Sequence, residues 1–461
     1  MADLPRPDLT VKTSIHVVGI GGAGMSAIAT VLAGMGHRVS GSDLKASSGL
    51  ERLRAMGIDV HIGHAPENLS PDVGYVAVSS AVPDSNLEVR VARERGIPVL
   101  RRAEILAAIA ATRRSVAVAG THGKTTTSSM LALALRAAGL RPSFIIGGDV
   151  NEIGSGAVWD RGDWFVVEAD ESDGTFLELP RQAAVVTNVE PDHLEFYGSV
   201  EAMQDAFGRF LAQTGGPRIV CADDPVAFRL GRSCGATTYG VAEHADWRMV
   251  DLVSTGVGST FVLCAGEQVV GKVHLPIPGA HNARNACAAL VTSLLLGAAF
   301  EPAADALGRF AGVARRFEHR GEVRGVTFID DYAHLPSEVR AALAAARDGD
   351  WSRIVCVFQP HRYSRTAALW QDFADAFVES DVLVLTDVYA AGEAPRPGVS
   401  GKLLVHAVLD AHPWARVVYL PRRSDVVAFL EQELRPGDLC LTLGAGDVTS
   451  VPDELREAWS R

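Results

Sequence analysis

The stretch SVAVAGTHGKTTT (Ser115–Thr127) decides the fold. Five small or β-branched residues read as a buried strand, Gly120 and Gly123 break it, and the threonine run opens a helical period through about Ala138. Strand, glycine turn and helix in that order form a phosphate loop. Backbone N–H groups and the helix dipole face a triphosphate, Lys124 bridges its oxygens, and a hydroxyl reaches Mg²⁺. The usual spacing of such loops is not fully met, because position 118 is Val and the first glycine is Gly120. An ordinary glycine turn with an exposed lysine is the competing reading, and the strand–turn–helix setting disfavours it. Lysine is scarce, occurring only at Lys12, Lys45, Lys124, Lys272 and Lys402, so one inside a motif stands out.

Outward from this loop, the same alternation of short strand, turn and helix runs through most of the 461 residues. Upstream, IHVVG (Ile15–Gly19), RVSGSD (Arg38–Asp43), IDVH (Ile58–His61) and YVAVSS (Tyr75–Ser80) alternate with helical periods. The polar interruption ATRRS then marks a boundary. Downstream come FIIGG (Phe144–Gly148), WFVVEAD (Trp164–Asp170), AAVVTNV (Ala183–Val189) and RIVCA (Arg218–Ala222). Between Thr237 and Pro276 the pattern becomes short strands with glycine turns, expected as a small antiparallel insert, before a helix from His281 to about Leu296. A third cycle starts at VTFIDDY (Val326–Tyr332) and ends at LCLTLGA (Leu439–Ala445). The expected fold class is therefore α/β in three domains, covering 1–112, 113–318 and 319–461. The outer two are Rossmann-like, and the central one is a P-loop-type domain with a mostly parallel sheet. Hinges are expected near Thr112–Ser115 and Arg316–Glu322.

Composition narrows the function. Hydrophobic residues are 48% and charged residues 21% of the chain, and 43 basic against 55 acidic residues leave a formal charge of −12. No global positive field gathers nucleic acid or an anionic membrane surface. The N-terminus MADLPRPDLTVKTS lacks the basic start and apolar stretch of a leader, and the longest apolar run, near Leu290–Phe300, is far short of the ~20 residues of a membrane span. The six cysteines are scattered without a zinc spacing, as expected of thiols in a reducing compartment. A cytoplasmic protein without membrane insertion is the expectation; the sequence leaves the oligomeric state open.

Three further segments carry chemistry. Gly19-Ile20-Gly21-Gly22-Ala23-Gly24 fits G-x-G-x-x-G after a strand, with Asp43 ending the next strand; such a turn holds NAD or any other nucleotide diphosphate, or merely joins strand to helix. Glu168-Ala169-Asp170-Glu171-Ser172-Asp173 ends an apolar strand beside the phosphate loop, where α/β folds place groups that hold magnesium. Thr187-Asn188-Val189-Glu190-Pro191-Asp192-His193 ends the next strand with a carboxylate and an imidazole. Together these suggest two metal positions clamping a phosphoryl group.

Taken in order, GIGGAGMSAIA, GTHGKTTT, EADESD, TNVEPDHLEFYG, PGAHNARNA, RRFEHRG, DDYAHLPSE and FQPHRYSRT resemble the ATP-dependent Mur ligases of peptidoglycan synthesis, and within them the alanine-adding branch. The resemblance runs from about residue 15 to the GAGD at Gly444–Asp447. It implies ligation of L-alanine to the lactyl carboxylate of UDP-N-acetylmuramate through an acyl phosphate, with ATP as co-substrate and two Mg²⁺ ions. It gives the loop containing Gly19, Gly21, Gly22 and Gly24, with Asp43, to the UDP-sugar rather than to NAD. To ATP it gives Gly120, Thr121, His122, Gly123, Lys124, Thr125 and Thr126, with Asn282 and Asn285 on the adenine side and Arg316 and Asp331 from the C-terminal part. It implies Thr125 and Glu168 for one Mg²⁺, Glu168 and His193 for the other, and Tyr332, His334, Arg362 and Arg365 for the amino acid. The implied catalytic set is Lys124, Glu168, His193 and His334, His334 being a candidate base for the amine and water another. Read from the residues alone, Asn282 could equally be a helix cap. Two departures stand out: no lysine lies between Lys124 and Lys272 to be carbamylated as in other branches, and Leu335 stands where a second histidine is frequent.

Overall fold

The computed structural model describes residues 7–460; Met1–Arg6, the start of the stretch tested for a leader, lies outside the described residues. Three sheets follow one another along the chain. The first is wholly parallel, with strands β1 Ser14–Val18, β2 Arg38–Asp43, β3 Asp59–Ile62, β4 Val73–Val78 and β5 Val99–Arg101 in the order β3-β2-β1-β4-β5. The glycine loop follows β1, the strand at which the order reverses, where open α/β sheets form their ligand crevice.

The second sheet has ten strands. They are β6 Arg114–Ala119, β7 Ser143–Val150, β8 Ser155–Val158, β9 Trp164–Glu168, β10 Ala183–Val186, β11 Arg218–Cys221, β12 Thr237–Gly240, β13 Trp247–Thr255, β14 Gly258–Ala265 and β15 Gln268–Leu275. Their order is β15-β14-β13-β12-β11-β10-β6-β9-β7-β8. The expected small antiparallel insert is formed by β13, β14 and β15, which pair antiparallel with one another; β13 also pairs parallel with β12 at Tyr239↔Trp247, so the insert extends the central sheet. Local glycine turns announced the hairpins; only the long-range pairing shows what they join.

The third sheet has the order β16-β17-β21-β18-β19-β20, built from β16 Glu318–Val323, β17 Val326–Asp331, β18 Arg353–Phe358, β19 Val382–Leu385, β20 Val417–Tyr419 and β21 Asp438–Leu443. All neighbours are parallel except the β16–β17 edge hairpin. That hairpin corrects the second expected hinge, because Glu318–Glu322 is strand. The crossing shortens to the residues before it, where Arg315 (φ 60°) and Phe317 (φ 49°) adopt the left-handed region.

Alternation along β6 explains how its sheet is held. Val116 and Val118 face one core with the helices Lys124–Ala137 and Ala280–Leu295, while Ala117 and Ala119 face a second core with Phe165, Phe176 and Phe207. This second core continues without a break into Ile15, Ile28 and Leu32 of the first sheet and its helix. The first two sheets therefore share apolar packing. The third has cores of its own, on Phe358 and Leu441 on one face and Val357 and Cys440 on the other. Its contacts with the rest include ion pairs and hydrogen bonds, the kind of interface that permits domain motion.

Candidate active site between the central and C-terminal domains

The phosphate loop is shaped by the two glycines its sequence suggested. Gly120 has φ 132° and Gly123 φ 77°, both in the region that favours glycine. A Cβ on Gly120 would collide with the Thr187 hydroxyl, and one on Gly123 with the Asn285 amide oxygen. The loop is stapled to the segment after β10. Thr187 Oγ1 donates to the His122 carbonyl at 2.5 Å, the His122 amide donates to Asn188 Oδ1 at 2.9 Å, and the Glu190 amide donates to Thr121 Oγ1 at 2.9 Å. Gly123 caps the helix Lys124–Ala137 without a side-chain bond, leaving its first amides free for an anion.

Lys124 is folded back into this loop. Its Nζ donates to the Gly120 carbonyl at 2.7 Å, the Thr121 carbonyl at 3.2 Å and Glu171 Oε1 at 2.9 Å. Burial opposes its charge, but the carboxylates of Glu171, Glu168 and Asp170 outweigh burial and hold it as a cation. Thr125 Oγ1 donates to Glu168 Oε1 at 3.1 Å, and the other oxygen of Glu168 takes the Gly147 amide at 2.8 Å. A hydroxyl and a carboxylate at this separation are hard oxygen donors, and by donor chemistry the pair fits magnesium. That ion uses one or two carboxylates and takes its remaining ligands from phosphates and water. No group of three or more His, Cys, Asp or Glu able to hold a metal is found among the described residues. His193 sits one loop away, 3.3 Å from Asp192 and 3.7 Å from Glu195.

A cavity of about 370 Å³ opens beside the loop and is closed on its far side by the C-terminal domain. His122, Gly123, Thr126, Asn285, Arg316 and Asp331 all line it, as does Asn282. Asn285 Oδ1 accepts from Thr127 at 3.3 Å, whereas Asn282 spends its amide on the Pro278 carbonyl at 2.8 Å, just before the helix Ala280–Leu295. Arg316 reaches across to Thr125 Oγ1 at 3.4 Å and lies 5.0 Å over the Tyr332 ring. Burial pushes the Asp331 carboxyl up to about 6 against the pull of Arg316 and of the Ala333 amide at 2.7 Å.

Sequence reasoning named His122 for ATP but passed over Glu190, Ser337 and Glu338, with which that imidazole bridges the domains here. His122 Nδ1 is 3.1 Å from Glu338 Oε1 on the helix Pro336–Arg347, its Nε2 is 3.2 Å from Glu190 Oε2, and Ser337 Oγ donates to Glu190 at 2.5 Å. Burial by itself would lower the imidazole, but the two carboxylates outweigh burial and raise it to about 9. Glu190 and Glu338 stood inside quoted motifs, but nothing in their spacing showed that residues 190 and 338 meet.

A second cavity, of about 300 Å³, is lined by Asp192, His193, Glu195, Arg362 and Arg365. Arg365 Nη2 forks onto Asp192 at 3.2 and 3.3 Å, and Arg362 Nη1 lies 3.6 Å from Glu195. His334 packs edge-on to Tyr332 at 5.6 Å, and its Nδ1 is 3.0 Å from the Tyr332 carbonyl. Burial drives His334 down to about 4, making it a neutral and weak base. In the first domain, Asp43 turns back onto the glycine loop, its Oδ2 accepting the Gly21 amide at 2.9 Å. The free amides of Gly24 and its neighbours open the helix Ala23–Gly34.

Family models match nearly the whole chain: "Mur ligase family, catalytic domain" at residues 14–114, "Mur ligase middle domain" at 118–293 and "Mur ligase, glutamate ligase domain" at 315–446. The UDP-N-acetylmuramate–L-alanine ligase of Pelotomaculum thermopropionicum is 45% identical over 96% of this chain and 97% of its own, and that of Acidothermus cellulolyticus is 48% identical over 96% and 95%. The crystal structure of UDP-N-acetylmuramate-alanine ligase from Thermotoga maritima superposes with a TM-score of 0.81 at 28% identity, covering 97% of this chain and 99% of its own. The phosphate loop, the glycine loop and the three successive sheets are thus features of a known lineage, and the chain belongs to the Mur ligase family.

Proposed function

We propose that the protein is the ATP-dependent ligase that joins L-alanine to the lactyl carboxylate of UDP-N-acetylmuramate, giving ADP and phosphate, in the cytoplasmic steps of peptidoglycan precursor synthesis. The observation that carries this reading is end-to-end identity of 45–48% over 96% of the chain with enzymes of that name. In this reading residues 1–112 take the nucleotide sugar, 113–318 ATP and 319–461 the amino acid. No helix among the described residues is long and apolar enough to cross a membrane.

A carboxylate is a poor electrophile, so it is first phosphorylated. Its oxygen attacks the γ-phosphorus, the bond to the β-phosphate oxygen breaks, and an acyl phosphate and ADP form. The alanine amine then attacks the acyl carbon, phosphate leaves, and the amine proton passes to solvent or a base. Lys124 is released from Gly120 and Glu171 to meet the β/γ-phosphates and spread their charge. Thr125 and Glu168 would hold one Mg²⁺ and Glu168 with His193 a second, and the bound ions would neutralise the phosphate oxygens. Asn285 and Asn282 face the base, and Arg316 and Asp331 bring the C-terminal domain onto the nucleotide and exclude water from the acyl phosphate. Arg362 offers a guanidinium fork to the alanine carboxylate beside Tyr332 and His334, and Arg365 joins it on release from Asp192. His334, which burial holds neutral, and water are the two candidate acceptors for the amine proton.

The test is phosphate release from ATP, Mg²⁺ and UDP-N-acetylmuramate, scanned over amino acids. Release that depends on L-alanine is expected. Release that ignores alanine but responds to a preformed tripeptide would overturn the reading.

A further inference from the structure

The first domain buries a carboxylate that the chemistry above does not use. Glu88, in the helix Leu87–Glu94, is fully buried. Such a charge is tolerated only when its lone pairs are met. Ser42 Oγ donates to its Oε2 at 2.5 Å and His64 Nδ1 lies 3.2 Å from the same oxygen. The Ala65 amide and Asn68 Nδ2 donate to Oε1 at 3.2 and 2.6 Å. His16 Nε2 stands 3.6 Å away, its other ring nitrogen 2.9 Å from Ser40 Oγ. Burial opposes ionisation of Glu88, yet the His16 ring nearby and the hydrogen bonds from Ser42 and Asn68 outweigh it and hold the acid at about 2.

These partners come from β1, β2 and the turn after β3, and they converge under the glycine loop. The Ser42 carbonyl takes the Gly19 amide at 2.9 Å and the Ile20 amide at 3.1 Å, and the next residue, Asp43, takes that of Gly21. Ser42 has one hydroxyl hydrogen and gives it to Glu88. His64 Nδ1, 2.9 Å from that hydroxyl, must therefore be the protonated ring nitrogen. His64 is also the imidazole of this group that reaches the surface, 13% exposed against 0% for His16.

We infer that Glu88 is a positioning residue for the nucleotide-sugar subsite: from inside the core it fixes, through Ser42 and His64, the loop on which the diphosphate rests. The inference rests on assigning Gly19–Gly24 to that ligand. A carboxylate that merely tethered its helix to the sheet would not single out one substrate when altered.

The test uses the full-length enzyme as Glu88→Gln and Ser42→Ala, with Kd for UDP-N-acetylmuramate by calorimetry and KM for all three substrates. In Glu88→Gln, Kd and KM for UDP-N-acetylmuramate are expected to rise about tenfold, while KM for ATP and alanine stays within about twofold. Ser42→Ala removes one hydroxyl and leaves the carbonyl in place, so it is expected to fold and to shift the same constants in the same direction. It decides the matter if Glu88→Gln does not fold. An unchanged Kd in folded Ser42→Ala, or equal increases for all three substrates, overturns the inference. Failure of the unaltered enzyme to bind UDP-N-acetylmuramate would instead defeat the subsite assignment, and the inference with it.

Discussion

Glu338→Gln should loosen the join between the phosphate loop and the C-terminal domain, and His122 reports the loss. Its imidazole is raised from 6.5 to about 9 by Glu338 and Glu190 against the cost of burial. At about 1.4 kcal/mol per pH unit, that pairing is worth about 3 kcal/mol. Glu190 is 40% exposed and its share is screened by solvent, whereas Glu338 is 13% exposed and stands 3.1 Å from Nδ1. Glu338 therefore supplies most of the effect. Gln keeps an oxygen for the amides of His334 and Leu335, which Glu338 Oε2 now accepts at 2.8 and 3.1 Å, so the helix start survives while the charge is lost. The sign follows from the direction of the shift. Because the folded value lies above the unfolded one, the stabilisation is complete below pH 6.5 and is lost as pH rises through 9. At the acid end Glu190 and Glu338, both held below their ordinary range, keep it until pH falls under about 4.5. NMR titration of the His122 ring should give a midpoint near 9 in the unaltered protein and one lower by about one to two pH units in Glu338→Gln. The Tm difference between the two should be large at pH 6 and small at pH 10. A His122 midpoint near 6.5 in the unaltered protein, or no change in the variant, would refute this account.

Lys124→Ala should cut ADP formation dependent on UDP-N-acetylmuramate by about 10³-fold, and appreciable ligation by that variant would defeat the phosphate-loop assignment. Gly120→Ala places a Cβ on the Thr187 hydroxyl at φ 132°. It should cost about 2–3 kcal/mol of stability and abolish ATP binding by calorimetry; a stable variant with normal ATP affinity contradicts the loop geometry. Arg362→Ala removes a partly exposed guanidinium 3.6 Å from Glu195. It should raise the KM for L-alanine and leave that for ATP unchanged; an unaltered alanine KM means that the amino acid seats elsewhere.

Much of this protein was legible residue by residue, because its signals are local. A strand of small and β-branched residues followed by glycines and a hydroxyl-rich helix reads as a phosphate loop. Period-2 and period-3.6 patterns around it read as α/β in three units. The edges were less visible. The hairpin Glu318–Asp331 and the union of β13–β15 with the central sheet depend on which strand finds which neighbour, and a strand's own residues do not encode that. The same limit applies to the site. Lys124, Thr125 and Glu168 announce themselves through motif context. The contacts of His122 with Glu338, Arg365 with Asp192, and Ser42 with Glu88 join residues 216, 173 and 46 positions apart.

By itself, then, the sequence determined the chemistry the chain carries: glycine turns that free amides for phosphates, one lysine where lysine is rare, and carboxylates at strand ends. Tertiary structure alone decided how these groups are charged and held. A buried imidazole is raised or lowered according to whether the carboxylates around it outweigh its burial and any cations beside it, and in a low-dielectric interior that balance, not residue type, fixes the energy. His122 near 9 and His334 near 4, the same side chain in two neighbourhoods of one site, are the result.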